Sequence, residues 1–227
     1  MIRPNASLET CPFGSELQSY WNRLSDIERQ MRLSKEGLYS LALQPIMDEI
    51  AEAIPGETVL DPFCGFGGSS IGLARAGMTV TAADLAPDRI DSARYNAELF
   101  GINKSIYFEQ GNALELLGVV KADAVFLDPP WGGPGYIQKR KFQLADFTPD
   151  GFDLLAIALS HFSCVALRVP RNFDFSELSV FGSHIPMVIL ANTLKGELLH
   201  FTVVIRDKGC VRLLNALQEK RAVALRH

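Results

Sequence analysis

The residues best suited to chemistry are Asp128-Pro129-Pro130-Trp131, at the end of the apolar run "AVFLD" and followed by "GGPGY". Each proline restricts the residue before it, so the acid and the first proline are held extended and the turn is stiff. A carboxylate and an indole fixed on a stiff turn suit a flat, nitrogen-bearing ring. The acid and the Pro129 carbonyl can accept from an amine, and the Trp131 face can stack on the ring, worth roughly 1–3 kcal/mol per base. An exocyclic base amine is a poor nucleophile because its lone pair is conjugated. Acceptors on its hydrogens favour the pyramidal form and stabilise the charge that develops on transfer. Asp128, Pro129 and Trp131 are therefore the candidate catalytic residues.

A second constellation lies upstream. "DPFCGFGG" follows a short strand and opens a helix, the context in which backbone nitrogens approach a ligand. Its spacing is not G-x-G-x-x-G, and alone it is a weak signal. Asp84, nineteen residues beyond Gly65, ends the next strand, where a carboxylate can accept from both ribose hydroxyls. Asp61, just before the loop, would repel a pyrophosphate but can face an amino group. An acid-Pro-Pro-aromatic turn also has no use in a dinucleotide enzyme, whereas S-adenosylmethionine-dependent amino-methyltransferases carry it. The cofactor expected is S-adenosylmethionine, with Asp61, Phe63, Gly65, Gly67, Asp84, Asn112 and Asp128 as its candidate contacts. Asn112, in "QGNAL", stands where such enzymes often place an acid against adenine N6, and its amide oxygen accepts more weakly.

These residues need a frame. Strand and helix signals alternate from residue 56: "TVLDPF", "SIGLARAG", "MTVTAAD", "APDRIDSARYNAELFG", "SIYFEQGN", a short helix, "ADAVFLD", "PDGFDLLAIALSHF" and "CVALRV". Alternation of this kind predicts a mostly parallel sheet with right-handed crossovers. "PMVILANTL", Lys195-Gly196 and "ELLHFTVVIR" predict a C-terminal antiparallel hairpin. The fold expected is α/β, a Rossmann-like class I methyltransferase with seven strands and a small N-terminal helical extension. Residues 1–14 are expected to be loose. Residues 15–55 form the extension, with one helix over Ser15–Met31 and another from Gln44 to Ile54. Residues 56–207 form the catalytic domain, and 208–227 a partly helical tail.

The 227 residues carry a net charge of −4, which argues against a long basic footprint on duplex nucleic acid and leaves room for a locally read end. Four dispersed cysteines without ligand spacing predict free thiols and no metal. The N-terminus lacks the apolar core of a signal peptide, and no run reaches the ~18 apolar residues of a membrane span. A soluble intracellular protein, in nucleus or cytoplasm, is expected.

"FLDPPWGGPGY", "DPFCGFGG", "SKEGLYS" and "VPRNFD" together resemble the trimethylguanosine synthase family, RNA cap guanine-N2 methyltransferases, over about Tyr20 to Asp207. The resemblance implies stacking of 7-methylguanine on Trp131, cap-phosphate pairing by Arg171, and substrate contacts from Glu36 and Ser40 of an extension that helps close the site. The partner implied is 7-methylguanosine-capped RNA. Lys139-Arg140-Lys141 either meets phosphates or is a solvated face. Asp128 stands where some members carry serine, and Leu38-Tyr39 replaces a more aromatic pair. Two other functions stay open: methylation of internal guanine-N2 or adenine-N6, and a cap-binding module without catalysis.

Overall fold

The computed structural model describes residues 10–182 and 186–206. The expected tail at 208–227 and most of the loose N-terminus lie outside the described residues. Among the described residues there are seven strands and seven α-helices, which alternate from β1 to β5 as expected: α1 (Gln18–Trp21), α2 (Lys35–Ser40), α3 (Gln44–Ala53), β1 (Thr58–Asp61), α4 (Gly68–Arg75), β2 (Thr79–Asp84), α5 (Pro87–Leu99), β3 (Ile106–Gln110), α6 (Ala113–Val119), β4 (Ala124–Leu127), α7 (Gly151–His161), β5 (Cys164–Val169), β6 (Met187–Leu194) and β7 (Glu197–Arg206). Two compact units carry them. The chain up to Glu52 joins Glu57–Ala113, and Ala53–Gly56 joins the chain from Leu114 onward.

In the first unit β3, β2 and β1 are parallel neighbours in that order. Ala82 and Ala83 of β2 and Val59 and Leu60 of β1 are almost wholly buried. Their small or branched side chains suit a sheet covered on both faces. Ile46, Met47 and Ile50 give α3 a buried stripe, with Pro45 tolerated in its first turn.

The N-terminal extension differs from expectation. Instead of one helix over Ser15–Met31 there are a 3-10 turn at Ser15–Leu17, the single turn α1, and another 3-10 turn at Glu28–Gln30. The Glu28 carboxylate accepts from both the Ser25 amide (2.7 Å) and the Ser25 hydroxyl (2.6 Å). That local pairing starts a new turn at Ser25 in place of continuing the helix. The apolar spacing still reports burial, since Leu17, Trp21, Leu24 and Met31 are all in the core. "SKEGLYS" forms α2, capped by the Ser34 hydroxyl accepting from the Gly37 amide at 3.1 Å.

In the second unit the strand order is β4, β5, β7, β6. β4 and β5 are parallel, whereas β7 runs antiparallel to both β5 and β6. The predicted hairpin is present, and its turn residues Lys195 (φ 51°) and Gly196 (φ 82°) are both left-handed. Every residue of β5 is buried, Arg168 included. α7 starts where Asp150 accepts from the Phe152 amide at 2.8 Å.

Candidate active site

In the first unit the glycine loop is organised by two aspartates at strand ends. Asp84 accepts from the Gly65 amide on one carboxylate oxygen (3.1 Å) and from the Ala86 amide on the other (2.9 Å). The Arg89 guanidinium lies 3.7 Å from the same carboxylate. Asp61 is fully buried, accepting from the Ser70 hydroxyl at 2.6 Å and the Phe63 amide at 3.3 Å. Gly67 has φ 89°, and a Cβ on it would come within 3.1 Å of the Ala93 Cβ, so glycine is needed for both backbone shape and helix packing. Asp61, Phe63, Gly65, Gly67 and Asp84 are thus brought together around one loop. Asn112 is exposed just beyond β3, whose Gln110 pairs in register with Asp84.

These residues fit a nucleoside-bearing cofactor. Asp84 is anchored by backbone amides yet retains acceptor capacity, because each carboxylate oxygen carries more than one lone pair. A Cβ at Gly65 would meet nothing within 4 Å, so the loop is open at that point.

The extension packs on the same loop. A Cβ at Gly37 would lie 2.5 Å from the Phe66 ring, so α2 crosses that ring at a distance only glycine allows. Glu36 and Ser40 share α2, where the Ser40 hydroxyl donates to the Glu36 carbonyl at 3.2 Å. The Glu36 carboxyl is held below the usual carboxylate range by its own backbone amide and by the Ser34 hydroxyl. It is exposed and ionised, an acceptor at neutral pH.

In the second unit the parallel register Leu127↔Leu167 makes Asp128 and Arg168 the next residues side by side. Their ion pair follows: an Arg168 guanidinium N–H donates to the Asp128 carboxylate at 2.7 Å, with the two side chains only 8% and 16% exposed. Burial pushes the Asp128 carboxyl above its ordinary range, and Arg168 opposes that shift. The same guanidinium stands 5.6 Å from the centre of the Trp131 ring. Tyr136 meets the indole edge-on at 5.1 Å, and Phe142 and Phe147 continue the aromatic series. Trp131 Nε1 is buried without a hydrogen-bond partner among the described residues. Pro129 is buried and Pro130 exposed. Gly132 and Gly133 (φ 79° and 73°) turn the chain left-handed immediately after the indole, which few other residues tolerate.

"VPRNFD" supports this turn from β5. Asn172 donates to the carbonyls of Tyr136 (3.0 Å) and Lys139 (2.8 Å), and main-chain bonds link Phe142 to Asn172 and Asp174. Arg171 is exposed, with a long bond of 3.4 Å to the Leu198 carbonyl. Of the basic triplet, Lys139 pairs with Asp146 and Lys141 with Asp174. Asp128 and Trp131 are joined through Arg168, a residue not anticipated as part of the site. Its signal was a lone charge in the apolar strand "CVALRV", where a cation must be paired to be buried. Beside it His200 is 3% exposed, pushed down to about 2 by burial and by Arg168.

A strand-ending acid on a glycine loop, an acid-Pro-Pro-Trp turn and this strand order define a Rossmann-like class I methyltransferase. The chain belongs to the RNA cap guanine-N2 methyltransferase family, whose model matches residues 56–216. It is 32% identical over 187 residues to the trimethylguanosine synthase of Schizosaccharomyces pombe, covering 76% of this chain and 78% of that protein. The trimethylguanosine synthase of Saccharomyces cerevisiae is 33% identical over 130 residues, 54% of this chain and 41% of that protein. In fold, a methyltransferase structure from Porphyromonas gingivalis matches 89% of this chain and 55% of its own at a TM-score of 0.65 and 17% identity. Among the described residues no three metal-ligating side chains gather, and no helix is long and apolar enough to cross a membrane.

Proposed function

We propose that this protein methylates N2 of the 7-methylguanosine cap of RNA, using S-adenosylmethionine. One observation carries the reading: in a chain of this family, the acid-Pro-Pro-Trp turn sets a carboxylate and an indole around a shared cation. S-adenosylmethionine supplies an electrophilic methyl group when bound. Asp84 would hold its ribose, Asp61 its amino group, the backbone and side chains around Phe63, Gly65 and Gly67 its length, and Asn112 its adenine edge.

The remaining residues act on the base. Trp131 offers a ring face, and a base made cationic by N7 methylation gains cation–π attraction of about 0.5–2 kcal/mol there. Asp128 and the Pro129 carbonyl would accept the N2 hydrogens, which pyramidalises the amine and stabilises positive charge as it develops. Glu36, ionised on α2, is suited to accept from the N1 edge, with Ser40 on the same helix. Arg171, exposed after β5, is suited to the phosphate bridge.

The test compares methyl transfer from radiolabelled S-adenosylmethionine to 7-methyl-GDP and to GDP at equal concentration. Transfer to the methylated nucleotide with little to GDP is expected. Equal transfer to both would replace the cap reading with methylation of internal bases, and cofactor binding without transfer to either would replace it with a non-catalytic module.

A further inference from the structure

We propose that Arg168 is a positioning residue whose guanidinium holds the Asp128 carboxylate and backs one face of the Trp131 indole, so that a purine stacks on the opposite face. The inference rests on the base-binding role just given to Trp131 and adds a device that explains how the turn accepts a cationic ring.

Three observations carry it. The indole makes no hydrogen bond of its own among the described residues, so its pose is set by its packing, in which Arg168 and the edge of Tyr136 take part. Arg168 is itself fixed: it is 7% exposed and stands opposite Thr202 in the β5–β7 register. His200 lies on the same sheet face two residues along, and Asn192 is its partner on β6. Thr202 donates to Asn192 at 2.7 Å, so this face carries a buried polar file that ends at Asp128. Finally, the cation that backs the indole is neutralised at 2.7 Å by Asp128. An unpaired cation on one side of the ring would oppose a cationic base on the other. The ion pair removes that opposition while keeping the planar guanidinium against the indole.

Asp128 therefore has two roles that can be separated by substitution: an acceptor for the base amine and the counter-charge of Arg168. The experiment measures kcat and KM for 7-methyl-GDP and GDP at saturating S-adenosylmethionine in wild type, Arg168→Lys, Arg168→Met and the Arg168→Met/Asp128→Asn double variant. Arg168→Met should lower kcat/KM for 7-methyl-GDP about a hundredfold, the scale of a small misplacement of reacting groups. Arg168→Lys should keep most of kcat but raise KM, because it supplies the counter-charge without the plane. The double variant strands no buried charge, so its melting temperature should return toward wild type while kcat/KM stays low. Wild-type kinetics in Arg168→Met would overturn the proposal, as would full kinetic recovery in the double variant, which would make Arg168 a stability residue only. Wild type that leaves 7-methyl-GDP unmethylated would instead remove the base-binding role of Trp131, and this inference with it.

Discussion

Asn96 of α5 and Arg32 of the extension are joined by a reciprocal pair of hydrogen bonds: the Arg32 amide donates to the Asn96 side-chain oxygen at 2.7 Å, and the Asn96 amide donates to the Arg32 carbonyl at 3.1 Å. The same Asn96 nitrogen reaches the Phe66 carbonyl of the glycine loop at 2.8 Å. One fully buried side chain thus ties the extension to the loop, and the Arg32 guanidinium, 3.7 Å from the Tyr95 ring centre, reinforces it.

Asn96→Ala strands one amide and two carbonyls, each costing roughly 1–3 kcal/mol where water does not replace the bond. The variant should lose several kcal/mol in urea denaturation and bind S-adenosylmethionine more weakly. Asn96→Asp should fare no better, since a carboxylate cannot donate to either carbonyl. Wild-type stability in both would remove the tie.

The loop's other organiser gives a cofactor prediction. Asp84→Ala removes the acceptor of the Gly65 and Ala86 amides along with the proposed ribose contact. S-adenosylmethionine affinity should fall by about 3 kcal/mol, the range of charge-assisted hydrogen bonds. Calorimetry reads this directly. Wild-type protein should also gain about 2.7 kcal/mol of stability at a hundredfold cofactor excess over Kd, a gain the variant should lack at the same concentration.

Much of this architecture was legible in the sequence, and the reasons are local. β2 and β5 announce themselves because apolar runs ending in Asp84 and Val169 suit strands buried on both faces. The Lys195-Gly196 turn shows because two-residue hairpins favour left-handed backbone, which glycine adopts readily. The glycine turn between β1 and α4 and the aspartates that end β1 and β2 were readable for the same reason, as their backbone context is contiguous. Asn96 and His200 were not, since their meaning lies in partners far along the chain: Asn96 reads as an ordinary helix residue until Arg32 and Phe66 are beside it. The extension misled because apolar spacing reports burial of Trp21 and Leu24, whereas the Ser25–Glu28 pairing that breaks the helix is a competition between side chain and backbone.

His200 makes acid stability testable. Its folded value of about 2 lies far below the ordinary 6.5, so the unfolded chain binds a proton that the folded protein refuses. No cost exists above pH 6.5. As pH falls below it, stability should drop by about 1.4 kcal/mol per pH unit from this group. Asp128, raised by burial, acts in the opposite sense by taking up a proton more readily when folded. His200→Gln should therefore flatten the fall in melting temperature between pH 6.5 and pH 5. An unchanged slope would mean that His200 is protonated in the folded protein.

Arg171 tests the phosphate end of the proposed substrate. Its guanidinium is exposed, and its bond to the Leu198 carbonyl is long at 3.4 Å, so it is loosely held and suited to an anion. Lys139 and Lys141 are engaged by Asp146 and Asp174, which makes them weaker candidates than Arg171. Arg171→Ala should lower kcat/KM about 10- to 100-fold on 7-methyl-GTP, matching the roughly 1.5–3 kcal/mol of a hydrogen bond to a charged group. On the 7-methylguanosine nucleoside, which has no phosphate, the same variant should lose little. Arg171→Lys should recover part of the loss, since it keeps the charge but not the fork. The ratio of the two losses is the decisive quantity, because a folding defect lowers both substrates together. Equal losses on nucleotide and nucleoside would return Arg171 to a structural role beside Leu198.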